Sequence, residues 1–416
     1  MQSRSADLCR TEARRYRTAV RPPLTTRKRS RLLSRIAPLL TATCVNLIAL
    51  GIILPVLPFY VTKFGAGPEV AVLIFSMFSG ASLLTAPWWG RLSDRIGRKP
   101  VLLIGVTGTC ISYIWLANAD SLWEVFASRG FAGATAGWLT ASQAYIADVT
   151  TAKNRAKGLG MLGATFGIAF VVGPGITYMA LGGGGDLVFP AYVAAGCTAV
   201  GLILALILIK EPETRETGSN TRFSMAILRT PTLFRLFAVY FAIFLAFTGL
   251  EATFALWCRD LFEFGPREVT PYFVFIGIVA ALVQGGMIGP IVKRLGEART
   301  VVLGIVTLGL GLGLLPAAVT PWLVLLPMGL IVFGFSVIGP ATQSLMSQVA
   351  PADLKGGVLG VAQSFASAAR IAGPAWAGAV FAGIGPHWPY FIGALLLFPV
   401  ALAALPLIRT PAAQEE

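Results

Sequence analysis

The sequence predicts an all-α membrane protein: twelve transmembrane helices in two pseudo-symmetric six-helix bundles. Three observations carry that prediction. Of 416 residues, 56% are apolar and only 12% are charged, whereas a soluble protein is about a quarter charged. The apolar residues gather in twelve long runs, and the second half of the chain repeats the first.

The runs fall at 37–61, 70–89, 101–119, 121–147, 157–181, 187–209, 233–257, 271–291, 300–317, 321–348, 355–382 and 388–408. Each is long enough to cross a bilayer with some tilt. Lipid offers no partner for a bare peptide group, and the runs lack strand alternation, so they are read as helices.

Charge orients them. Loops after even-numbered runs carry fifteen Lys or Arg, from Arg91 to Lys355, and loops after odd-numbered runs carry only Lys63, Arg259 and Arg267. Basic loops stay in the cytoplasm, so both termini are expected there, in a bacterial inner membrane. The segment 210–232 is the most polar interior stretch and is read as a cytoplasmic linker. The expected organisation is a basic, disordered tail over 1–36, a bundle over 37–209, the linker, a second bundle over 233–409, and a tail over 410–416. The first tail holds eleven Arg or Lys against Asp7 and Glu12. It reads as a cytoplasmic arm touching anionic lipid, as a transit peptide, or as an extension from an upstream start codon. It has no interleaved aromatics, so nucleic acid is not an expected partner.

The repeat is specific. Gly90-Arg91-Leu92-Ser93-Asp94-Arg95-Ile96-Gly97 aligns with Gly289-Pro290-Ile291-Val292-Lys293-Arg294-Leu295-Gly296 at an offset of 199. Gln143, Val149, Ala152, Leu159, Gly160, Gly173, Pro174 and Gly183 recur 200 residues later. Two six-helix repeats related by an axis along the membrane normal are a transporter plan.

The stretch Gly90 to Pro100 (GRLSDRIGRKP) resembles the signature loop between spans two and three of the major facilitator superfamily. The resemblance covers residues 37–409 and extends to the drug:proton antiporter branch, which includes tetracycline exporters. Gly51-Ile52-Ile53-Leu54-Pro55-Val56-Leu57-Pro58 resembles that branch's first-span motif. Arg129 with Gly133 resembles its fourth-span motif, with Ala132 where Gln is usual. Gly163, Gly167, Gly173, Pro174 and Gly175 resemble its antiporter motif. Tetracycline exporters usually carry an acid nine residues before the first Pro of the span-one motif, where this chain has Asn46.

Physical roles follow for these residues. Glycines in the 90–100 loop allow tight turns. Asp94 is suited to a helix N terminus, where an anion is favoured; the resemblance implies span eleven, starting near Asp353. Gly90, Asp94, Arg95, Gly97, Arg98, Asp148 and Arg155 are thus a candidate cytoplasmic gate, with Arg95 expected to join the Asp148–Arg155 network. Gly173-Pro174 and Gly373-Pro374 sit at matching places inside helices, as hinges for alternating access or as packing kinks.

Three charges fall inside the bilayer: Arg129, Glu251 and Arg370. Each costs at least about 2.5–3.5 kcal/mol at the membrane centre, so each needs a partner or a use. A buried carboxyl can exchange protons near neutral pH, which makes Glu251 a proton-site candidate. The resemblance places Arg129 near the proton route. Arg370 either binds an anionic substrate group or pairs with Glu251. Among many aromatics, Trp138 and Phe247 are taken as candidates for a greasy cavity.

The composition excludes much else. His387 is the single histidine, and Cys9, Cys44, Cys110, Cys197 and Cys258 form no CxxC pair. No metal, cofactor or redox site is expected. HExxH, a nucleotide-binding Gly-rich loop and a workable GxSxG are missing, so neither an enzyme nor an ATP-driven pump is expected. The function expected is proton-coupled export of a small amphipathic organic compound by a monomeric secondary transporter. The competing readings are a metabolite importer or facilitator, and a non-transporting assembly factor or sensor on the same scaffold.

Overall fold

The computed structural model describes residues 24–150, 152–182, 186–212, 230–351 and 354–408, with the side chains of all but 24–35, 152–157, 355–356 and 407–408. No strand occurs among the described residues. Nine helical stretches are long and apolar enough to cross a membrane. They are Leu24–Ile53 (from Ile36), Pro68–Ile96, Arg98–Ala117, Ala152–Ala180 (from Gly158), Val188–Leu208, Pro231–Phe262, Pro266–Leu295, Glu297–Ala317 and Pro321–Val349. Three more complete the set: Leu122–Ala134 with Gly137–Val149, Lys355–Gly383, and Trp388–Ala404. In chain order they occupy the twelve apolar runs, and they are called spans one to twelve below.

Several boundaries differ from the sequence expectation. Span one starts at Leu24, inside the stretch expected to be disordered. Extending a formed helix adds a hydrogen bond for each residue fixed, so a polar overhang can follow an apolar span. The expected linker lies mostly outside the described residues, and span seven starts at Pro231. Span one ends at Ile53, and a short helix, Leu57–Thr62, follows the turn containing Pro55.

Span four is broken at Thr135 and Ala136. A break inside lipid must satisfy the carbonyls it frees. The Trp89 indole N–H of span two donates to the Ala134 carbonyl at 2.6 Å. Gly137, just past the break, faces the Trp89 ring with no room for a methyl group. Span eight carries a single π turn, Val283–Met287, around Gly285 and Gly286.

Glycine crossings hold each set of six spans. A methyl group at Gly51 would lie 2.5 Å from the Ala169 carbonyl oxygen, and one at Gly173 would lie 2.6 Å from the Gly51 carbonyl carbon. Spans one and five therefore touch backbone to backbone. The same crossing recurs between spans seven and eleven. There a methyl at Gly249 would meet Ala377 Cβ at 3.1 Å, and one at Gly373 would meet the Leu245 carbonyl at 2.9 Å. Both long helices run unbroken through Pro174 and Pro374. The repeat is also conformational: Gly97 (φ 114°) and Gly296 (φ 78°) adopt positive φ between corresponding helices, which favours glycine there.

The two sets meet through span two against span eleven and span five against span eight. Ser76 Oγ donates to the Ile371 carbonyl at 2.7 Å. Gly378 abuts Val72, Gly277 abuts the Phe170 carbonyl, and the Arg267 guanidinium lies 5.1 Å over the Tyr178 ring. All these contacts sit toward the end away from the basic loops. There one apolar core joins both sets, with Ile52–Ile53, Val56–Leu57 and Tyr60 on one side and Phe254, Trp257 and Tyr390 on the other. Toward the basic loops the first six spans have a separate core, including Leu39, Trp89, Leu102, Trp138, Ile146 and Ala205. Among the described residues no hydrogen bond or ion pair joins the two sets at that end, and Leu84, Trp88 and Leu282 are exposed. The contacts described between the two sets thus gather at the end away from the basic loops.

If the glycine crossings set the fold, Gly173→Val and Gly373→Val should each destabilise the purified protein by about 1–3 kcal/mol, the usual range for overpacking. Gly196 has nothing within 4 Å of an added methyl, so Gly196→Ala should leave stability unchanged. Thermal unfolding in detergent reads all three, and equal midpoints would remove the crossings as a constraint.

Candidate functional site

At the basic end the organising side chain is Arg98, the first residue of span three. Its Nη1 donates to Asp94 Oδ1 at 2.6 Å and to Ser93 Oγ at 3.1 Å, and its Nε donates to Asp148 Oδ2 at 2.7 Å. The Asp148 side chain is 2% exposed and that of Asp94 47% exposed. The planar guanidinium serves several acceptors at once, which a lysine cannot. Behind it, the Glu211 carboxylate accepts the backbone N–H groups of Arg98 and Lys99 at 2.7 and 2.8 Å. An anion on free N–H groups at a helix N terminus is favourable. Glu211 thereby ties the end of span six to the start of span three.

This differs from the expected gate. Asp94 bonds to Arg98 within its own set of spans, and Arg95 is exposed outside the network. Among the described residues Asp94 makes no hydrogen bond to span eleven. Residues 352–353 and the side chain of Arg155 lie outside the described residues. Gly90 has open space around it, while Gly97 is required by its φ. In the second repeat Glu297 stands where Arg98 does and accepts Gln348 Nε2 at 2.9 Å and Ser344 Oγ at 3.2 Å. Gln348 corresponds to Asp148, so an amide-to-carboxylate hydrogen bond replaces the ion pair in the same place.

Inside the spans, Arg129 is 3% exposed. Its Nη2 donates to Ser112 Oγ at 2.7 Å, and its guanidinium lies 4.9 Å over the Tyr113 ring. Its Nε has no partner. Asn46 is 2% exposed, and neither amide atom makes a hydrogen bond. A buried amide without partners is rare. Gly201 of span six packs against the main chain of span one there, where an added methyl would lie 3.5 Å from the Asn46 backbone nitrogen. Trp138 belongs to the separate core of the first six spans and shares no surface with Phe247.

Span seven carries the richest face. Tyr240, Phe244, Phe247 and Glu251 follow one another at spacings of four, three and four residues, so they share one side of the helix. Phe244 and Phe247 both pack on Phe335 of span ten, Phe247 stacked at 3.7 Å and Phe244 edge-on at 5.2 Å. Gln343 of span ten donates to the Tyr240 hydroxyl at 2.9 Å. The Arg370 guanidinium of span eleven lies 5.0 Å over the Phe244 ring. Arg370 and Glu251 form no ion pair, contrary to one expectation, although each is within coulombic reach of the other. Both are half-buried. A partly buried charge this deep belongs on the face turned to the centre of the bundle, because lipid contact would be prohibitive.

Sequence reading missed Glu211, Tyr240, Phe335 and Gln343. The period of span seven could have flagged Tyr240, and the Gln143/Gln343 repeat could have flagged Gln343. No local signal marked Glu211 or Phe335, whose roles depend on which helices become neighbours. The single histidine, His387, is partly buried and accepts the Trp257 indole N–H at Nδ1, 3.1 Å away.

Comparison with known proteins adds to this geometry. The family model described as Major Facilitator Superfamily matches residues 39–374 and 285–416. A class G tetracycline resistance protein from Vibrio anguillarum is 31% identical, covering 88% of this chain and 95% of that protein. Multidrug resistance protein 2 of Bacillus subtilis (strain 168) is 26% identical over 88% of this chain and 93% of its own. Among solved structures, the human organic anion transporter MFSD10 (TETRAN) superposes with a TM-score of 0.70 at 23% identity, over 92% of this chain and all of that one.

Arg98→Lys should lower stability, since it cannot keep the bonds to Asp94, Asp148 and Ser93 together. Each hydrogen bond to a charged group is worth about 1.5–3 kcal/mol. Arg95→Lys, at an exposed site, should change nothing measurable. Paired thermal unfolding curves compare the two, and equal curves would remove Arg98 from its central place.

Proposed function

The chain belongs to the Major Facilitator Superfamily and is a multi-pass membrane transporter; we propose that it exports a small amphipathic organic compound in exchange for protons. The observation that carries this reading is Glu251, a partly buried carboxyl within a span. Proton exchange there needs a group that is reached from one side at a time.

The excess of basic residues in one set of loops supports a cytoplasmic basic end and cytoplasmic termini. On that reading the described conformation opens inward and is ready to load substrate from the cytoplasm. The spans divide into bundles over 37–209 and 233–409, which rock about a site near the midplane. Arg98, Asp94, Asp148 and Gly97 form the cytoplasmic face that must meet the second bundle when that end closes. Gly173-Pro174 and Gly373-Pro374 are the places where spans five and eleven flex. Arg129 holds spans three and four together near the proton route.

Proton and substrate then compete. A cationic substrate group entering the centre displaces the proton from Glu251, and release outside lets the next proton bind. Asn46 stands where exporters of this branch usually carry an acid, so Glu251 carries the exchange in this chain. The names of the relatives, tetracycline and multidrug resistance proteins, support drug-like substrates.

Cells overproducing the protein should accumulate less of a fluorescent cationic dye than control cells. A protonophore should abolish that difference, and so should Glu251→Gln. Dye accumulation equal to controls in every arm would sink the drug-export reading. A difference that survives Glu251→Gln would move the proton site elsewhere.

A further inference from the structure

At the end away from the basic loops, spans seven and twelve are joined through the single histidine of the chain. Gly385, at a positive φ of 140°, turns the chain after span eleven, and His387 stands just before span twelve. Its Nδ1 accepts the Trp257 indole N–H at 3.1 Å. Trp257 is fully buried, and His387 is partly buried. The Trp257 ring also meets Tyr390 edge-on at 5.8 Å, and Thr253 Oγ1 donates to the Tyr390 hydroxyl at 3.2 Å.

The contact works in one charge state. An indole has a single donor and no acceptor. Nδ1 accepts only while it carries no proton, so the bonded imidazole is neutral with its hydrogen on Nε2. A second proton makes both nitrogens donors and leaves the buried indole N–H facing another N–H. It also puts a positive charge at the N terminus of span twelve, where the helix dipole opposes a cation. Histidine is the side chain whose charge ordinarily changes between pH 5 and 8.

Span twelve packs on spans seven, nine and eleven. At this level span seven brings Cys258, Arg259, Asp260 and Glu263, and span twelve itself brings Tyr390. Residues 300–320, covering span nine and the turn after it, bring no titratable group, and neither does span eleven from Ile371 onward. Arg259 and Asp260 pair with each other at 2.8 Å. No ion pair to His387 occurs among the described residues, so a proton on the ring gains no salt link for the bond it breaks.

We propose that His387 and Trp257 form a pH-sensitive latch on the outer end of span seven, made when the ring is neutral and released when it takes a proton from the outer solution. The latch holds at high pH and opens as the pH outside falls. Glu251 lies about 9 Å along the helix from Trp257, so release loosens the stretch of span between Glu251 and the outside. Acidity outside drives an exporter that exchanges substrate for protons, so the outward path loosens as the driving force appears. That last step rests on the transport reading above, and the latch itself does not.

The test uses the purified full chain in detergent, isolated with a histidine-free tag. One histidine gives one imidazole signal in nitrogen NMR, and the Trp257 indole N–H is assigned by its loss in Trp257→Phe. Between pH 8 and 5 the imidazole should pass from the neutral to the protonated form, and the Trp257 signal should move with the same midpoint. His387→Gln keeps an acceptor oxygen that does not titrate, so its Trp257 signal should stay fixed over that range. Loosening is read at Cys258, the next residue and fully buried, by its rate of modification with dithiodipyridine, followed by mass spectrometry. At the acid end the wild type should react about tenfold faster than His387→Gln, the worth of one hydrogen bond. At the alkaline end the two rates should match, and comparing the proteins at one pH cancels the titration of the thiol itself. A Trp257 signal that ignores the imidazole titration overturns the proposal, and so do equal Cys258 rates at the acid end. If His387→Gln fails to fold, the two wild-type midpoints decide alone. No readout requires transport, so failure here leaves the export test standing.

Discussion

Lipid gives a peptide group nothing to bond to, and the architecture follows from that constraint. Every irregularity in a span must be repaired from within the protein. The break in span four persists because the Trp89 indole reaches the Ala134 carbonyl that the break frees. Arg129 is tolerated because Ser112 and Tyr113 take its guanidinium. The same demand makes Asn46 notable, since its amide is buried with no bond made. Helix ends obey it too, with Glu211 meeting the free N–H groups that start span three.

Without a hydrophobic drive between helices, packing depends on close approach. The Gly51–Gly173 and Gly249–Gly373 crossings supply it, one in each repeat. They fasten spans within a set. Contacts between sets are of another kind, side chains meeting across spans two and eleven and across spans five and eight, and they gather at one end. Crossings are tight within each set, and the contacts described between them are confined to one end.

Charge is divided along the same lines. At the basic end, Arg98, Asp94 and Asp148 bind one set of spans together, while the corresponding place in the other set uses the neutral Gln348. In the centre, Arg370 and Glu251 are kept apart on one wall. Ion pairs at the periphery stabilise a half.

Sequence by itself determined the twelve spans and their repeat. Those properties are written in one dimension, as hydropathy and spacing, and lipid enforces them locally. It also marked Arg129, Glu251 and Arg370, because a charge in an apolar run is visible without a structure. Which groups those charges meet was decided only by the tertiary structure. Glu251 and Arg370 stand apart because their levels depend on how spans seven and eleven register at the Gly249–Gly373 crossing. Phe335 joins the wall because span ten lies against span seven. Arg98 rather than Arg95 became the centre of the basic network because Gly97 turns the chain so that Arg98 faces Asp148. Pairing across a hundred residues depends on register and rotation, which no local pattern encodes.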